Sequence, residues 1–371
     1  MKITKIGVWV GVVLAAAFGV AGYWGYLRWG RADLREVRPS VVVSDPTPIA
    51  AAVESGTTTV VGSENVPPAA ANAPVKIIAF GDLLLDRYIK LLIDRNDANY
   101  PLEKMKDVVA GNDLVLANLE GSFTDFSPRK LDPNNTSFTF DPKLVSTLTD
   151  NGFNIVNLAN NHVRDFGKQG FAQSQAYLDK AGIAHFGDYY NEEPALVKEI
   201  NGQKVAFIAY NEFGDASIGE TAAKVNAASS TADYVIVYTH WGVEYQNNFS
   251  IDQQRKAQKL IDAGANVVLG SHPHVTQPIE IYRNKPIFYS LGNFLFDQIF
   301  SFDVRHGLGV KLTIGKDKVA FDLYPTEMKD FRVSLADSET KTAILKKIAA
   351  GSVCDESIKE GIAQGRFVLE R

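Results

Sequence analysis

The sequence predicts an α/β domain, in which a sheet lies between layers of helices. Short apolar runs, which are typical of strands buried on both faces, alternate along the chain with segments whose apolar residues have helical spacing. Five of these runs also end in a residue that can bind a metal ion. Since polar groups appear where strands leave the core, the carboxyl ends of these strands are expected to meet at one rim of the sheet.

The predicted elements follow from these patterns. The predicted strands are residues 76–82, 114–120, 155–162, 205–210, 235–240, 267–274 and 286–291. The predicted helices are residues 102–109, 142–150, 170–181 and 253–263. Asp252 is a candidate N-cap of the last helix, and Gly264 is a candidate stop after it.

The pattern changes after Phe302. Apolar segments at residues 308–314 and 319–324 flank Gly315-Lys-Asp-Lys318, which favours a hairpin and therefore an antiparallel later part of the sheet. Residues 331–371 are predicted to form a helical tail after a globular domain of residues 75–330.

Residues 6–27 are uncharged and mostly apolar, which predicts a transmembrane helix. At about 1.5 Å per residue, a helix of this length just crosses a hydrocarbon layer of about 30 Å. A cleaved signal peptide is the alternative, but its apolar core is usually only about 7 to 15 residues. Trp24, Tyr26 and Trp29 resemble an interfacial aromatic belt and favour the uncleaved anchor.

The flanks of this segment predict the orientation and a tether. Residues 1–5 carry Lys2 and Lys5 and are expected to stay in the cytoplasm, which places the globular domain outside the cell membrane in a single-pass protein. Residues 28–74 are rich in Pro, Ala, Val, Ser and Thr without periodicity, and they are predicted to form a flexible linker.

Composition excludes some classes of site. The net charge of −5 over 371 residues is spread without basic or acidic blocks, so nucleic acid is not an expected partner. Cys354 is the single cysteine, which excludes an intramolecular disulfide framework and a cysteine-based zinc site. A metal ion must therefore be held by oxygen and nitrogen ligands, which suit Mn, Fe or Zn.

Several side chains at the strand ends are candidates for metal or catalytic duty. They are Asp82, Glu120, Asn161, His162, His240, His272 and His274. Structural alternatives exist, since a lone strand-end acid often caps the next helix and Asn160 suits a turn. Pro273 restricts its neighbours, so His272 is expected to be extended and the two flanking imidazoles to have a fixed relation.

An ordered series of motifs at these strand ends resembles a known family. The motifs are Gly81-Asp82, Asn118-Leu-Glu120, Asn160-Asn-His162, His240-Trp-Gly-Val-Glu244, Gly270-Ser-His-Pro-His274 and Gly292-Asn293. The series resembles the bacterial capsule-synthesis family of CapA type, which is associated with poly-γ-glutamate, over residues 75–297. That family is in turn similar to the calcineurin-like metallophosphoesterases, which implies a four-layer α/β/β/α sandwich with a two-metal centre.

The resemblance also implies residue roles. It implies metal ligation by Asp82, Glu120, Asn161, His240, His272 and His274, with Glu120 bridging the two ions. His162 corresponds to the general acid. Trp241 and Glu244 are candidate substrate-pocket residues, although Trp241 could instead close the core. Asn293 is a candidate to bind a metal ligand or substrate, with a structural role at the strand end as the alternative.

The sequence departs from the phosphoesterase pattern at two positions. Leu84 stands where a histidine is usual, and Glu120 is longer than the usual bridging aspartate. One metal site is therefore expected to be weaker or absent. Asp86 could compensate, although an acid in the first turn of a helix more often interacts with the helix dipole or with solvent.

These expectations combine into a functional hypothesis. The chain is predicted to be a membrane-anchored, extracytoplasmic metallophosphatase-like protein of capsule or poly-γ-glutamate biosynthesis. It would act as a metal-dependent hydrolase or transferase on an anionic cell-surface polymer or its precursor, with metal-activated water as the attacking group and His162 as the proton donor. The alternative is a non-catalytic scaffold subunit of a polymer synthase complex. A soluble cytoplasmic phosphatase would require that residues 6–27 do not insert into the membrane.

Overall fold

The computed structural model describes residues 73–126 and 136–371. The predicted cytoplasmic tail, the predicted membrane span and the linker up to residue 72 lie outside these ranges. Within the two ranges, no helix combines the length and the apolar character that crossing a membrane requires.

The described residues form alternating strands and helices, which confirms the predicted α/β class. The strands are β1 (Val75–Leu83), β2 (Leu114–Leu119), β3 (Ser122–Phe123), β4 (Thr139–Phe140), β5 (Ile155–Asn157), β6 (Ala184–Phe186), β7 (Leu196–Ile200), β8 (Gln203–Asn211), β9 (Tyr234–His240), β10 (Val267–Ser271), β11 (Ile279–Tyr282), β12 (Lys285–Phe288), β13 (Asn293–Leu295), β14 (His306–Ile314), β15 (Lys318–Lys329), β16 (Arg332–Leu335) and β17 (Arg366–Glu370). The α-helices are α1 (Arg87–Arg95), α2 (Lys106–Val109), α3 (Val145–Asp150), α4 (Gly167–Lys180), α5 (Ile218–Ser229), α6 (Ile251–Asp262), α7 (Ser338–Gly351) and α8 (Glu356–Gln364). Short 3-10 helices cover Glu103–Met105, Pro142–Leu144 and Asp303–Arg305.

Most strands belong to two large sheets. The first sheet has the order β16-β15-β14-β1-β2-β5-β6, with β13 paired to β1 and β17 paired to β15. Its β1, β2, β5 and β6 are parallel, whereas β14 to β17 are antiparallel, as the predicted hairpin requires. The second sheet has the order β11-β12-β10-β9-β8-β7, with parallel strands in its centre.

Three apolar clusters show how these elements are layered. Ile77 of β1 and Ile236 of β9 belong to one cluster between the two sheets. The adjacent Ile78 faces the other way, into a cluster with α1 and α4, and Val235 packs with α5 and α6. Because successive side chains of a strand point to opposite faces, each sheet buries both faces. The order is therefore helices, sheet, sheet, helices.

The C-terminal segment differs from the predicted helical tail of residues 331–371. It contains α7 and α8, but β16 and β17 lie beside β15 in the first sheet. In β17, buried Phe367 and Leu369 alternate with exposed neighbours, which is the period of a half-buried strand. Gly365 ends α8 in a left-handed conformation with φ of 85° and turns the chain back toward β15.

Two motif glycines allow strand ends to approach closely. A Cβ atom on Gly81 would lie 1.8 Å from the carbonyl oxygen of Gly292, and one on Gly270 would lie 2.1 Å from that of Tyr289. Any larger side chain would therefore push apart the strand ends that carry the candidate site residues. The close approach also lets the amide of Asp82 donate to the oxygen of Gly292 at 3.0 Å.

Candidate metal centre

The strand ends bring the predicted side chains together around a buried cluster of carboxylates and imidazoles. One ligating atom from each of Asp82, Glu120 and His240 lies within 4.8 Å of the other two, and all three residues are buried. His274 contacts both acids: its Nδ1 is 3.2 Å from Asp82 Oδ2, and its Nε2 is 3.8 Å from Glu120 Oε1. The expected convergence of side chains distant in sequence is therefore present.

Asp82 is held at the end of β1 by several polar contacts. Asn118 donates from Nδ2 to Asp82 Oδ1 at 2.8 Å, and the amide of His272 donates to Asp82 Oδ2 at 3.2 Å. Burial alone would raise the pKa of Asp82, but the hydrogen bond and the electrostatic interaction with His274, followed by the interactions with His240 and Asn118, outweigh it. The pKa of Asp82 consequently lies well below its usual value, and the carboxylate remains ionised.

Glu120, directly after β2, has the opposite electrostatic character. Both of its carboxylate oxygens are buried and lack a hydrogen-bond partner within the described residues. Burial, followed by the negative charge of Asp82, raises the pKa of Glu120 well above its usual value. Since nearly all buried polar groups in proteins are hydrogen-bonded, two orphaned oxygens on one carboxylate require a missing partner.

His240, the last residue of β9, lies at the centre of a group of polar side chains. Its Nε2 is 2.8 Å from Asn161 Oδ1 and 3.2 Å from His272 Nδ1. Its Nδ1 is 3.0 Å from Ser271 Oγ. Burial, followed by the electrostatic interaction with His272, lowers the pKa of His240 well below its usual value, so the imidazole is neutral. A neutral imidazole is the form that binds metal.

The loop after β10 corrects one expectation about backbone conformation. His272 is not extended: its φ is 94°, and His274 has a φ of 58°. Positive φ is uncommon for residues other than glycine and costs about 1–3 kcal/mol. The bond from the amide of His272 to Asp82 contributes to holding this conformation. Burial, followed by the charge of His274, lowers the pKa of His272 to about 3.

His162 lies at the open side of the cluster. Its Nε2 is 3.9 Å from Glu120 Oε1, and its side chain is 17% exposed. Its Nδ1 is 2.9 Å from Asp165 Oδ2, and its ring packs on Phe138 with centroids 4.0 Å apart. Asp165 therefore orients His162 so that Nε2 points toward the cluster. Asp165 was not among the predicted site residues, although its spacing of three residues from His162 was a usable signal.

A buried amide network supports the carboxylates and was also missed. Asn118 accepts at Oδ1 from Asn157 Nδ2 at 2.9 Å and from Asn160 Nδ2 at 3.1 Å. Asn160 also donates to the carbonyl oxygen of Leu119 at 2.9 Å. Asn160 also accepts at Oδ1 from the amide of His162 at 3.1 Å, which is the expected turn, so it combines the turn with buried hydrogen bonds. The signal in the sequence was the asparagine near the end of each of these strands.

Of the three predicted substrate-binding residues, the structure contradicts Trp241. Trp241 is fully buried in the cluster between the second sheet and its helices, and its Nε1 donates to the carbonyl oxygen of Tyr289 at 2.9 Å. It closes the core, which was the stated alternative. Glu244 is exposed, and its charge raises the pKa of Glu120, which places it near the opening. Asn293 is buried, with Oδ1 2.9 Å from His274 Nδ1.

The two positions that could supply or replace a further metal ligand have structural roles. Leu84 is fully buried in the apolar cluster with α1 and α4. Asp86 is the N-cap of α1: it accepts from the amide of Arg87 at 2.7 Å and from that of Thr139 at 3.0 Å. Asp86 thus follows the capping alternative and does not replace the absent histidine.

Arg87 places a positive charge near the carboxylates of the cluster. Arg87 forms an ion pair with the nearly buried Asp297. Its guanidinium lies 4.7 Å from the ring of Phe138 and 5.5 Å from that of Phe296. The positive charge of Arg87 acts to lower the pKa of Glu120, although burial dominates. Arg87 was missed because its ion-pair partner is far away in the sequence.

The donor set fits a divalent cation. Carboxylate oxygens and neutral imidazole nitrogens are ligands for Mn, Fe and Zn. A cation would give the orphaned oxygens of Glu120 the partner that the described side chains do not supply. The carboxylate–imidazole cluster is thus a candidate metal centre, with Asn118, Asn293 and Ser271 orienting its ligands.

Comparison with known proteins gives a family match over most of the globular region. The family described as "Bacterial capsule synthesis protein PGA_cap" matches residues 76–298, which is more than half of the chain. All of the predicted site residues fall within this match.

Individual relatives carry related descriptions. The chain is 33% identical over 237 residues to the "PGA biosynthesis protein CapA" of Bacillus subtilis, covering 59% of this chain and 62% of that protein. It is 27% identical over 250 residues to the "Capsule biosynthesis protein CapA" of Bacillus anthracis, covering 61% of each. A "Probable polyglutamine synthesis accessory protein" of Mycobacterium tuberculosis is 29% identical, with 50% of this chain and 56% of that protein covered. The matches therefore span about three fifths of the length of these relatives.

Solved structures are similar at a lower level. Vps29 of Chaetomium thermophilum has a TM-score of 0.33 and 8% identity, covering 71% of this chain and 91% of that one. The protein TT1561 of Thermus thermophilus has a TM-score of 0.38 and 10% identity, covering 64% of this chain and 94% of that one.

Proposed function

The chain belongs to the bacterial capsule synthesis protein PGA_cap family, and from this premise we propose that it is a metal-dependent hydrolase or transferase. Its substrate would be an anionic cell-surface polymer, such as poly-γ-glutamate, or a precursor of that polymer. Its fold would be of the metallophosphatase type, for which the order of helices, sheet, sheet and helices gives support.

One observation carries the proposal. Glu120 is fully buried, has two orphaned carboxylate oxygens, and lies against Asp82, another buried carboxylate. Leaving a buried charge without a partner is strongly destabilising, typically by about 3–5 kcal/mol. A divalent cation between Asp82, Glu120 and His240 would offset this cost.

The residues of the chain would divide the work. Asp82, Glu120, His240 and His274 would hold the ion, with Asn161 and His272 beside them. When bound, such an ion supplies Lewis-acid chemistry by polarising a phosphoryl or acyl oxygen. Asp165 accepts a hydrogen bond from Nδ1–H of His162, so Nε2 on the open side is the atom that would bind a proton and donate it to the leaving group.

Two buried phenylalanines beside the imidazoles would limit the access of water to this proton. Phe138 covers the ring of His162 at 4.0 Å, and Phe296 lies 4.8 Å from the ring of His274. A drier site strengthens the interactions among the charged groups.

The second candidate is a scaffold subunit that holds other components of a polymer synthase. Leu84 favours it, because a buried leucine in place of the usual histidine removes one ligand from the centre. A scaffold would require the fold and the surface but no turnover.

Elemental analysis and activity assays separate the two candidates. We expect the purified full-length chain to bind a stoichiometric transition metal and to hydrolyse a generic phosphomonoester or phosphodiester, or a γ-linked glutamate chain. His162→Ala should abolish turnover with metal retained, and His274→Ala should lose both metal and turnover. His185→Ala is the matched control, because His185 pairs with Asp179 away from the centre. Metal-free protein that still supports polymer formation in cells would establish the scaffold instead.

We also propose that residues 6–27 anchor the protein in the cell membrane with the described domain outside the cytoplasm. The apolar composition of that segment and the capsule-related descriptions of the relatives support this location. Membrane fractionation, followed by protease protection of intact cells, tests it. Recovery of the full-length chain in the soluble fraction would contradict the anchor.

A further inference from the structure

A chain of hydrogen bonds connects the candidate metal centre to an exposed tyrosine. His274 Nδ1 lies 2.9 Å from Asn293 Oδ1, and Asn293 donates from Nδ2 to Gln298 Oε1 at 3.3 Å. Gln298 then donates from Nε2 to the hydroxyl oxygen of Tyr245 at 2.9 Å. Side chains at the centre and at the surface are thus oriented together.

Tyr245 is held in an uncommon backbone conformation. Its φ is 62°, which is an outlier for a bulky residue and is expected to carry a cost. Its amide donates to the carbonyl oxygen of Pro273 at 2.8 Å, which ties it to the loop that bears His272 and His274. The side chain is nevertheless 40% exposed, so this conformation does not serve to fill the core.

Exposed aromatic side chains extend from both imidazoles of this loop. The ring of Phe213 lies 4.3 Å from that of His272, and the ring of Tyr245 lies 6.2 Å from that of His274. Phe300 continues this surface at 5.2 Å from Tyr245. Phe213, Tyr245 and Phe300 are 36%, 40% and 63% exposed, and we call them the aromatic rim. A substrate confined to the metal centre would therefore reach the side of the aromatic rim next to the imidazoles but not Phe300.

Polar groups next to the aromatic rim provide both signs of charge. The charges of Glu244 and Arg87 both act on the pKa of Tyr245. Partial burial, followed by the charge of Glu244 and a hydrogen bond to it, raises the pKa of the Tyr245 hydroxyl. An extended chain with carbonyl or carboxylate oxygens and amide N–H groups presents acceptors and donors that suit this mixture.

We propose that the aromatic rim is a binding subsite for a chain segment beyond the reacting group, with Tyr245 as its specificity-determining residue. The hydroxyl of Tyr245 donates a hydrogen bond to an oxygen of that segment, while Phe300 packs against the segment. The hydrogen-bond chain through Gln298 and Asn293 couples this contact to the orientation of His274. The subsite rests on the proposed function for the identity of the polymer, but its own test is a binding measurement.

The test uses the purified full-length chain loaded with Mn²⁺ and a short and a long γ-linked glutamate oligomer, with affinities measured by calorimetry. We expect the long oligomer to bind more tightly than the short one. Tyr245→Phe removes only the hydroxyl and should weaken binding of the long oligomer by about three- to tenfold, the usual effect of one hydrogen bond. Phe300→Ala should weaken it similarly. Tyr282→Phe is the matched control, because Tyr282 interacts with Asp262 on the far side of the second sheet, and it should leave binding unchanged.

Several outcomes overturn the subsite. Equal affinity for the short and long oligomers, or a Tyr245→Phe variant that binds like the wild type, would show that no segment contacts the aromatic rim. Metal content is measured in every variant, and a loss of metal in Tyr245→Phe would assign Tyr245 to the metal centre instead. Length-dependent binding that requires Tyr245, in a protein without turnover, would support the subsite while refuting the proposed enzyme.

Discussion

The orphaned carboxylate of Glu120 predicts a substitution with opposite effects in the metal-free and metal-loaded protein. In the metal-free protein, Glu120 either carries an unpaired buried charge or takes up a proton, and both states cost free energy. Glu120→Gln has nearly the same shape and no charge. It leaves unsatisfied amide atoms at about 1–3 kcal/mol, against about 3–5 kcal/mol for the uncompensated charge.

We therefore expect Glu120→Gln to stabilise the metal-free protein by about 1–2 kcal/mol. For a domain of this size, that corresponds to an increase in Tm of about 2–3 °C. In the presence of metal, the wild type should instead be more stable than Glu120→Gln. A ligand at a hundred times its Kd adds about 2.7 kcal/mol to the wild type, and the variant should lose most of this gain.

Thermal unfolding with and without a chelator measures both effects. Glu280→Gln is the matched control, because Glu280 is also buried but accepts bonds from Tyr289, Gln254 and Gln258. It should be destabilising in both conditions. A lower Tm of Glu120→Gln without metal, or equal stabilisation of this variant and the wild type by metal, would refute the prediction.

Three further predictions concern pH, the proton donor and the core. Because the pKa of Glu120 is raised, the metal-free fold gains stability from its proton at low pH and loses it as pH rises above 4.5, whereas metal affinity should increase over that range. His272, with a pKa lowered to about 3, stays neutral in the folded protein as pH falls from 6.5 toward 3. The metal affinity measured in this pH range should therefore change with the protonation of Glu120 and not with that of His272. Asp165→Asn should lower kcat by about 10- to 100-fold with metal content unchanged, since it releases His162; an unchanged kcat would exclude this role. Trp241→Phe should lower the free energy of unfolding in urea by about 1–3 kcal/mol without changing metal affinity, and a change confined to substrate affinity would restore its pocket role.

The strand ends could be predicted from the sequence because their pattern is local. An apolar run that ends in Asp82 or His240 marks both a buried strand and its exit from the core, and parallel strands bring such exits to one rim. The same reasoning placed Glu120 and His274 at that rim. At these positions the local sequence pattern and the fold agree on where the side chains lie.

Other features depend on contacts that no local pattern contains. Trp241 follows a site histidine directly, but successive residues point in opposite directions, so it faces the core of the second sheet. The amide of His272 donates to Asp82, far away in the sequence, and this bond contributes to holding a positive φ against the preference imposed by the next proline. In the same way, β17 forms a strand because its backbone pairs with that of β15.

The acids and the imidazoles of the cluster come from different layers of the fold. Asp82 and Glu120 lie at the ends of strands of the first sheet, whereas His240, His272 and His274 lie at or just after the ends of strands of the second. A cation shared by them would act as a cross-link that fastens one sheet to the other at a single end. Removing it should let that end of the inter-sheet seam open more often than the opposite end, so hydrogen exchange at the ends of β1 and β9 would register the loss of the ion.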